Sequence, residues 1–208
     1  MKKVVFLGLG YIGLPTAAVA AAHGFEVIGV DVNPSVVETI NQGKIHIVEP
    51  ELGQVVRDVV QKGKLRAVCK PEAADAFFIV VPTPFKQNHR ADITYVEAAT
   101  RSVIPYLQEG NLFVIESTSP VYTTERMAER PELKGKIHIA YCPERVLPGN
   151  TLYELVHNDR VIGGIDPAST EKAIEFYSAF VQGKLHGTNA RTAEMCKLTE
   201  NSSRDSQI

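Results

Sequence analysis

Lys197 and Asn201 stand four residues apart, with Arg204 three further on, so a helix would set them along one face. A lysine, an amide and an arginine together can hold a developing oxyanion and an acidic group of a substrate. Glu144-Arg145 lie between Pro143 and Pro148 in the stretch Tyr141-Cys142-Pro143-Glu144-Arg145-Val146-Leu147-Pro148-Gly149. There Glu144 can act as a general base, and the pair can handle a polar ligand. Hydroxyls end two apolar runs: Thr83 between Pro82 and Pro84, and Ser117, Thr118 and Ser119 after Glu116. Each group has a plainer reading beside it. The helix face can be merely solvated, and Glu144 and Arg145 can be a surface ion pair. The Thr83 segment can be an ordinary turn. Ser119 is read as the cap of the next helix. Cys196, turned away from the Lys197–Asn201 face, is expected in the core.

A second constellation opens the chain. Gly8-Leu9-Gly10-Tyr11-Ile12-Gly13 follows a short apolar run and precedes an Ala-rich one. Gly8 permits a tight turn, Gly10 lets a pyrophosphate approach the backbone, and Gly13 lets the helix pack on the strand. The helix then offers its N–H groups and positive dipole end to phosphate oxygens. Asp31 ends the next apolar run, 18 residues after Gly13. Its carboxylate can accept from both ribose hydroxyls and would repel a 2′-phosphate. Val32, Asn33, Pro34 and Ser35 supply no cation to offset it, so NAD is expected over NADP. A structural turn with Asp31 capping a helix is the bland alternative, and an S-adenosylmethionine site is the other ligand class.

The elements that must position these residues follow from periodicity. Apolar runs at Val4–Leu7, Glu26–Val30, Arg66–Cys69, Phe77–Val81, Leu112–Glu116, Ile137–Tyr141, Arg160–Ile162 and Lys184–His186 read as strands. Helical stretches alternate with them: Ile12–His23, Ser35–Asn41, Glu51–Gln61, Thr94–Leu107, Thr123–Glu129 and Ala168–Val181. Continuous apolar strands imply burial on both faces, hence a doubly wound, mostly parallel α/β sheet of Rossmann type. Gly24, Gly43 and Gly63 are placed to end helices, Asp166 to cap one, and Pro105 to kink or shorten another. With 22 basic and 24 acidic residues among 208, the net charge of −2 gives no case for nucleic acid. The most apolar window, Tyr11–Ala22, is too short to cross a membrane, and glycines break any signal-like start. Cys69, Cys142 and Cys196 lack CxxC spacing, which suggests reduced thiols in a cytoplasmic compartment; no His/Cys cluster suggests a metal.

Taken together, the motifs resemble those of the nucleotide-sugar 6-dehydrogenases, the UDP-glucose/GDP-mannose dehydrogenase family. The resemblance rests on Gly8-Leu9-Gly10-Tyr11-Ile12-Gly13-Leu14-Pro15, Val81-Pro82-Thr83-Pro84, Glu116-Ser117-Thr118, Pro143-Glu144-Arg145-Val146 and Ala193-Glu194-Met195-Cys196-Lys197-Leu198-Thr199-Glu200-Asn201. His46-Ile47-Val48-Glu49-Pro50, Pro82-Thr83-Pro84-Phe85-Lys86 and the Tyr141–Gly149 stretch resemble the bacterial branch acting on UDP-N-acetyl-D-mannosamine. The resemblance implies oxidation of a sugar C6 alcohol to the carboxylate with two NAD. Gly8, Gly10, Tyr11, Ile12, Gly13, Asp31, Thr83 and Thr118 would hold NAD. Lys197, Glu144, Asn201 and Thr118 would form the catalytic set. Arg145, Val146, Lys197, Asn201 and Arg204 would face the UDP-sugar. It implies a cytoplasmic enzyme of envelope polysaccharide synthesis, without nucleic-acid or membrane partners, and a homodimer at full length. Family members are about twice as long, and their second half carries a nucleotide-sugar domain and a nucleophilic cysteine. None of the three cysteines here has that cysteine's setting, and Ser203 and Ser206 replace apolar residues of the connecting helix. The expected division is residues 1–188 as the NAD-binding domain and 189–208 as the truncated start of that helix, a chain inactive alone.

Overall fold

The computed structural model describes residues 1–87, 90–147 and 149–207. Pro148 of the Glu144 loop motif and Ile208 lie outside them. Eight strands form one sheet: β1 (Lys3–Leu7), β2 (Glu26–Val30), β3 (Leu65–Val68), β4 (Ala76–Ile79), β5 (Leu112–Ile115), β6 (His138–Tyr141), β7 (Arg160–Gly164) and β8 (Leu185–Asn189). Their order is β3-β2-β1-β4-β5-β6-β7-β8. Pairing is parallel from β3 through β6; β7 then runs antiparallel to β6, and β8 parallel to β7. The helices are α1 (Gly13–Ala22), α2 (Pro34–Asn41), α3 (Leu52–Gln61), α4 (Thr94–Val103), α5 (Thr123–Ala128), α6 (Thr151–His157), α7 (Pro167–Tyr177) and α8 (Ala190–Asp205).

Alternation along β1 divides the interior. Val4 and Phe6 join the core under α1, α3, α6 and α7, whereas Val5 and Leu7 join the core under α4, α5 and α8. Every residue of β4 and β5 is buried, which is why these strands read as unbroken apolar runs. Phe78 anchors the first core, its ring 4.6 Å from that of Phe6 and 4.3 Å from that of Phe176. Gly24, Gly43 and Gly63 follow α1, α2 and α3 at φ of 101°, 71° and 66°. Asp166 caps α7 by accepting from Ser169 N at 2.7 Å. Pro105 ends α4 at Val103 and leaves a 3₁₀ turn over Ile104–Tyr106.

Several boundaries differ from the sequence expectation. Helix α6 carries no local capping side chain and spans only seven residues, so its short pattern went unread. Strand β8 is an edge strand with mostly exposed positions, and it runs to Asn189 rather than His186. Strand β7 extends through Gly163 and Gly164. A Cβ on Gly163 would stand 2.2 Å from Asn189 O, so only glycine lets the start of α8 close onto the sheet. Helix α7 stops at Tyr177, four residues short of the expected Val181.

The β1–α1 turn is the tightest junction. Gly8 sits at φ 95°, and a Cβ there would stand 2.4 Å from Val80 O. A Cβ on Gly13 would stand 1.8 Å from Gly8 O, whereas one on Gly10 would meet nothing within 4 Å. Gly13→Ala is therefore expected to cost at least about 2 kcal/mol, because the obstacle is backbone. Gly10→Ala should stay within about 0.5 kcal/mol of the unmutated chain. Denaturant unfolding of the two variants checks the contrast; equal effects would mean the turn is not packed as described.

Candidate functional site

A cleft of about 680 Å³ opens at the carboxyl ends of the strands, where the crossovers change direction between β1 and β4. Gly8, Gly10, Tyr11, Ile12, Asp31, Thr83, Thr118 and Glu144 all line it. Helix α1 aims its N-terminus at this space. Its N-cap residue, Ile12, offers no side-chain acceptor, and the first turn holds no acid. The positive end of a ten-residue helix thus meets the open space over Gly10, which suits an anion such as a dinucleotide diphosphate. Gly13 shapes the turn from behind and does not line the cleft.

Asp31 leaves β2 half-buried, with its carboxylate held in place. Oδ2 accepts from Leu9 N at 3.2 Å, and Oδ1 from Asn33 N at 2.9 Å. Each oxygen keeps further acceptor capacity for ribose hydroxyls. Asp31 is not the cap of α2; Asn33 is, accepting from Ser35 N at 3.0 Å. Thr83 is partly exposed between its two prolines. Ser117 is buried and donates to Val81 O at 2.8 Å, tying the end of β5 to that of β4 and leaving Thr118 to face the cleft.

At the far end of the cleft, Lys197 of α8 reaches the loop after β6. Its Nζ donates to Glu144 Oε1 at 2.9 Å and to Glu144 O at 2.8 Å, with the lysine 3 % exposed. A solvated helix face is thereby excluded for Lys197. Glu144 and Arg145 do not pair with each other: Arg145 Nε donates to Glu200 Oε1 at 3.1 Å. The substrate-facing set is divided among cavities. Lys197 and Arg145 border a second groove of about 700 Å³ beside α8, and Arg145, Val146 and Arg204 border a third pocket of about 440 Å³. Val146 is mostly buried in the core, Arg204 is exposed, and Asn201 lines none of the three.

Two sequence readings are corrected here. Cys196 is exposed and lines the second groove rather than the core. Ser119 does not cap α5; its hydroxyl donates to Ser117 O at 2.9 Å. The start of α5 is instead held by Glu194, which is fully buried and accepts from Tyr122 N, Thr124 N and Thr124 Oγ1 at 2.7–2.8 Å. Burial pushes its carboxyl up despite these donors. Arg191 adds a pair with Glu125 at 2.8 Å and lies over the Tyr122 ring. Helix α8 is thus moored at Arg191, Glu194, Lys197 and Glu200, every third residue.

Sequence reasoning also missed Glu49. It is buried, and it accepts from Gly149 N at 3.1 Å and Thr151 N at 2.8 Å, so it caps α6 and fixes the far end of the Glu144 loop. Its place in the motif His46–Pro50 was the available signal. Beneath the cleft, Tyr177 Oη donates to Glu116 Oε1 at 2.5 Å, and Arg160 Nη1 points at Cys142 Sγ, 3.9 Å away. Burial pushes Glu116 above the ordinary carboxyl range and the Cys142 thiol up to about 11, so that thiol is a poor nucleophile. Among the described residues, no helix is long and apolar enough to cross a membrane, and no group of three His, Cys, Asp or Glu could hold a metal ion.

Comparison with known proteins adds to this geometry. A model of the "UDP-glucose/GDP-mannose dehydrogenase family, NAD binding domain" matches residues 2–181. The UDP-N-acetyl-D-mannosamine dehydrogenase of Yersinia pestis is 55 % identical over 220 residues, covering 100 % of this chain and 52 % of the relative. An NDP-N-acetyl-D-galactosaminuronic acid dehydrogenase of Ralstonia nicotianae is 54 % identical with the same coverage. The native structure of the UDP-N-acetyl-mannosamine dehydrogenase from Staphylococcus aureus superimposes with a TM-score of 0.94 at 43 % identity, over 98 % of this chain and 52 % of that one. The chain spans about half the length of the curated relatives it matches.

The Glu49 clasp has a pH signature. Burial alone would raise its carboxyl, but the donors at Gly149 and Thr151 outweigh this and hold it below the ordinary 4.5. A depressed folded value means the carboxylate's contribution is fully present above about 4.5 and is lost as pH falls through the folded value. Glu49→Gln should lower stability by about 1–2 kcal/mol near neutral pH. The gap between variant and unmutated chain should close as pH falls below 4.5. Urea unfolding of both proteins across that range tests it; a gap that persists in acid would show that the charge is irrelevant.

Proposed function

The chain belongs to the UDP-glucose/GDP-mannose dehydrogenase family and matches its NAD-binding domain, and from that premise we propose that it is the cofactor half of a nucleotide-sugar 6-dehydrogenase acting on UDP-N-acetyl-D-mannosamine. The observation that carries the reading is the open space over Gly10 at the uncapped start of α1, with Asp31 fixed at the adjoining strand end. The diphosphate would lie over Gly10, and the adenosine ribose against Asp31. Tyr11, Ile12, Thr83 and Thr118 complete the wall. The relatives' names favour an N-acetylated hexosamine carried on a nucleoside diphosphate. Identity to the galactosaminuronic relative, 54 % against 55 %, makes that sugar the second reading.

The balanced reaction takes the C6 alcohol, two NAD and one water to the carboxylate, two NADH and three protons. Bound NAD supplies the hydride acceptor. Lys197 has three N–H donors; Glu144 engages two, leaving one for the substrate oxygen. As the C6 hydroxyl loses its proton, the ammonium stabilises the developing negative oxygen, and the adjoining Glu144 carboxylate accepts the proton. Asn201, one turn beyond Lys197, and Thr118 at the cleft wall would orient the sugar. Arg145 and Arg204 would meet its acidic part once Glu200 yields Arg145. A later water attack on the oxidised carbon would again use Glu144 as base. The covalent thiol step is assigned to a cysteine outside these 208 residues. Cys142 is sealed in the core, Cys69 lies by the Asp31 end of the cleft, and Cys196 faces the second groove.

Gly10→Val should leave the fold intact, because its space is open, yet abolish NAD binding by filling the path of the diphosphate. Calorimetric titration with NAD measures this, and retained affinity would sink the assignment. For chemistry, we expect the purified chain to bind NAD but to give no sustained NADH with UDP-N-acetyl-D-mannosamine. Two NADH per sugar from this chain would overturn that expectation and direct attention to Cys196.

A further inference from the structure

We propose that Lys70 is a second cofactor-selecting residue of the cleft: its ammonium opposes Asp31 at the adenosine ribose and sets how far the site tolerates a 2′-phosphate. The inference rests on the NAD reading above. Val32–Ser35, which follow Asp31, hold no cation, and from that alone a steep preference for NAD would follow. The fold supplies the cation from another strand.

Strand β3 pairs with β2 in parallel register, Val30 opposite Val68, and Asp31 N donates to Val68 O at 3.1 Å. The two strands therefore leave the sheet side by side, Asp31 following β2 and Cys69-Lys70 following β3. Both ends line the same cleft. Among its described lining residues Lys70 is the only lysine or arginine, while the acids are Asp31, Glu116 and Glu144. Glu116 and Glu144 follow β5 and β6, beyond β1 and β4 in the sheet, so Lys70 neighbours Asp31 and not the other two. Pro71 is buried behind it and biases Lys70 towards an extended backbone. None of the ion pairs among the described residues uses Lys70. Asp31 is fixed by Leu9 N and Asn33 N, whereas Lys70 is exposed on a flexible stem. A ribose with two hydroxyls needs only the fixed acid. A 2′-phosphate, repelled by Asp31, finds a mobile cation within the same end of the cleft.

The test is a double-mutant cycle on the whole chain, with NAD and NADP titrated by calorimetry at low ionic strength. Asp31→Asn should bring NADP to within about tenfold of NAD. Adding Lys70→Ala should then weaken NADP at least about tenfold while moving NAD less than about threefold, and Lys70→Arg should keep NADP binding. The Lys70 effect should shrink in high salt, as expected for an exposed charge. Equal changes for both cofactors, no change for either, failure of Asp31→Asn to take NADP, or loss of NADP in Lys70→Arg would each overturn the proposal. Failure of the unmutated chain to bind NAD would instead overturn the proposed function. Thermal melting of each variant confirms that folded proteins are compared.

Discussion

The carbonyl of Gly8 lies where a side chain on Gly13 would begin, and that contact governs much of the molecule. It lets α1 start immediately above β1 and lie flat on the sheet, so that its alanine-rich body is buried almost all round. The Phe6 and Phe78 rings can then stack, with Phe176 tilted against Phe78, on the same side of the sheet. It also fixes where the helix's positive end emerges. A bulkier turn would lift α1 away and close the space over Gly10 that a diphosphate requires. One steric constraint therefore couples core packing to the chemistry of the cleft.

The working end of the molecule is organised by carboxylates acting far from their own position in the chain. Glu49 grips backbone about 100 residues later, Glu194 grips α5 about 70 residues earlier, and Glu144 holds Lys197 across 53. Each of these three acids is paired with N–H donors or an ammonium, which is the condition for keeping charge away from water. Glu116 is different. Its Oε2 finds no donor among the described residues, and its raised titration follows from that burial.

What the sequence disclosed and what it concealed divide along this line. The glycine turn, Asp31 and the Lys197–Asn201 spacing were legible because their geometry is local, set by one turn or one helix. Parallel strands were legible because burial on both faces leaves an unbroken apolar run. Cys196 was misread because α8 inverts the usual rule: it buries Glu194 and Lys197 while exposing Met195 and Cys196. The inversion is stable only because loops from elsewhere bring partners to those charges, and no window along the chain records that. Helix α6 went unseen for the same reason, since its cap belongs to Glu49. Lys70 was passed over because strand neighbours are remote in sequence.

The four moorings of α8 recur every third residue, and in an α-helix such points step about 60° around the axis. From Arg191 to Glu200 they therefore travel through about 180° over about 13.5 Å of length. A helix fastened along one stripe can roll about it like a door on its hinge. This one is fastened around half its girth, first to α5 and then to the Glu144 loop, so rolling in either direction strains a polar contact. Twist applied beyond Glu200 cannot dissipate as free rotation. It is delivered as torque to the Lys197–Glu144 pair, which makes α8 a shaft that carries rotation to the far end of the cleft, where Glu144 forms part of the wall.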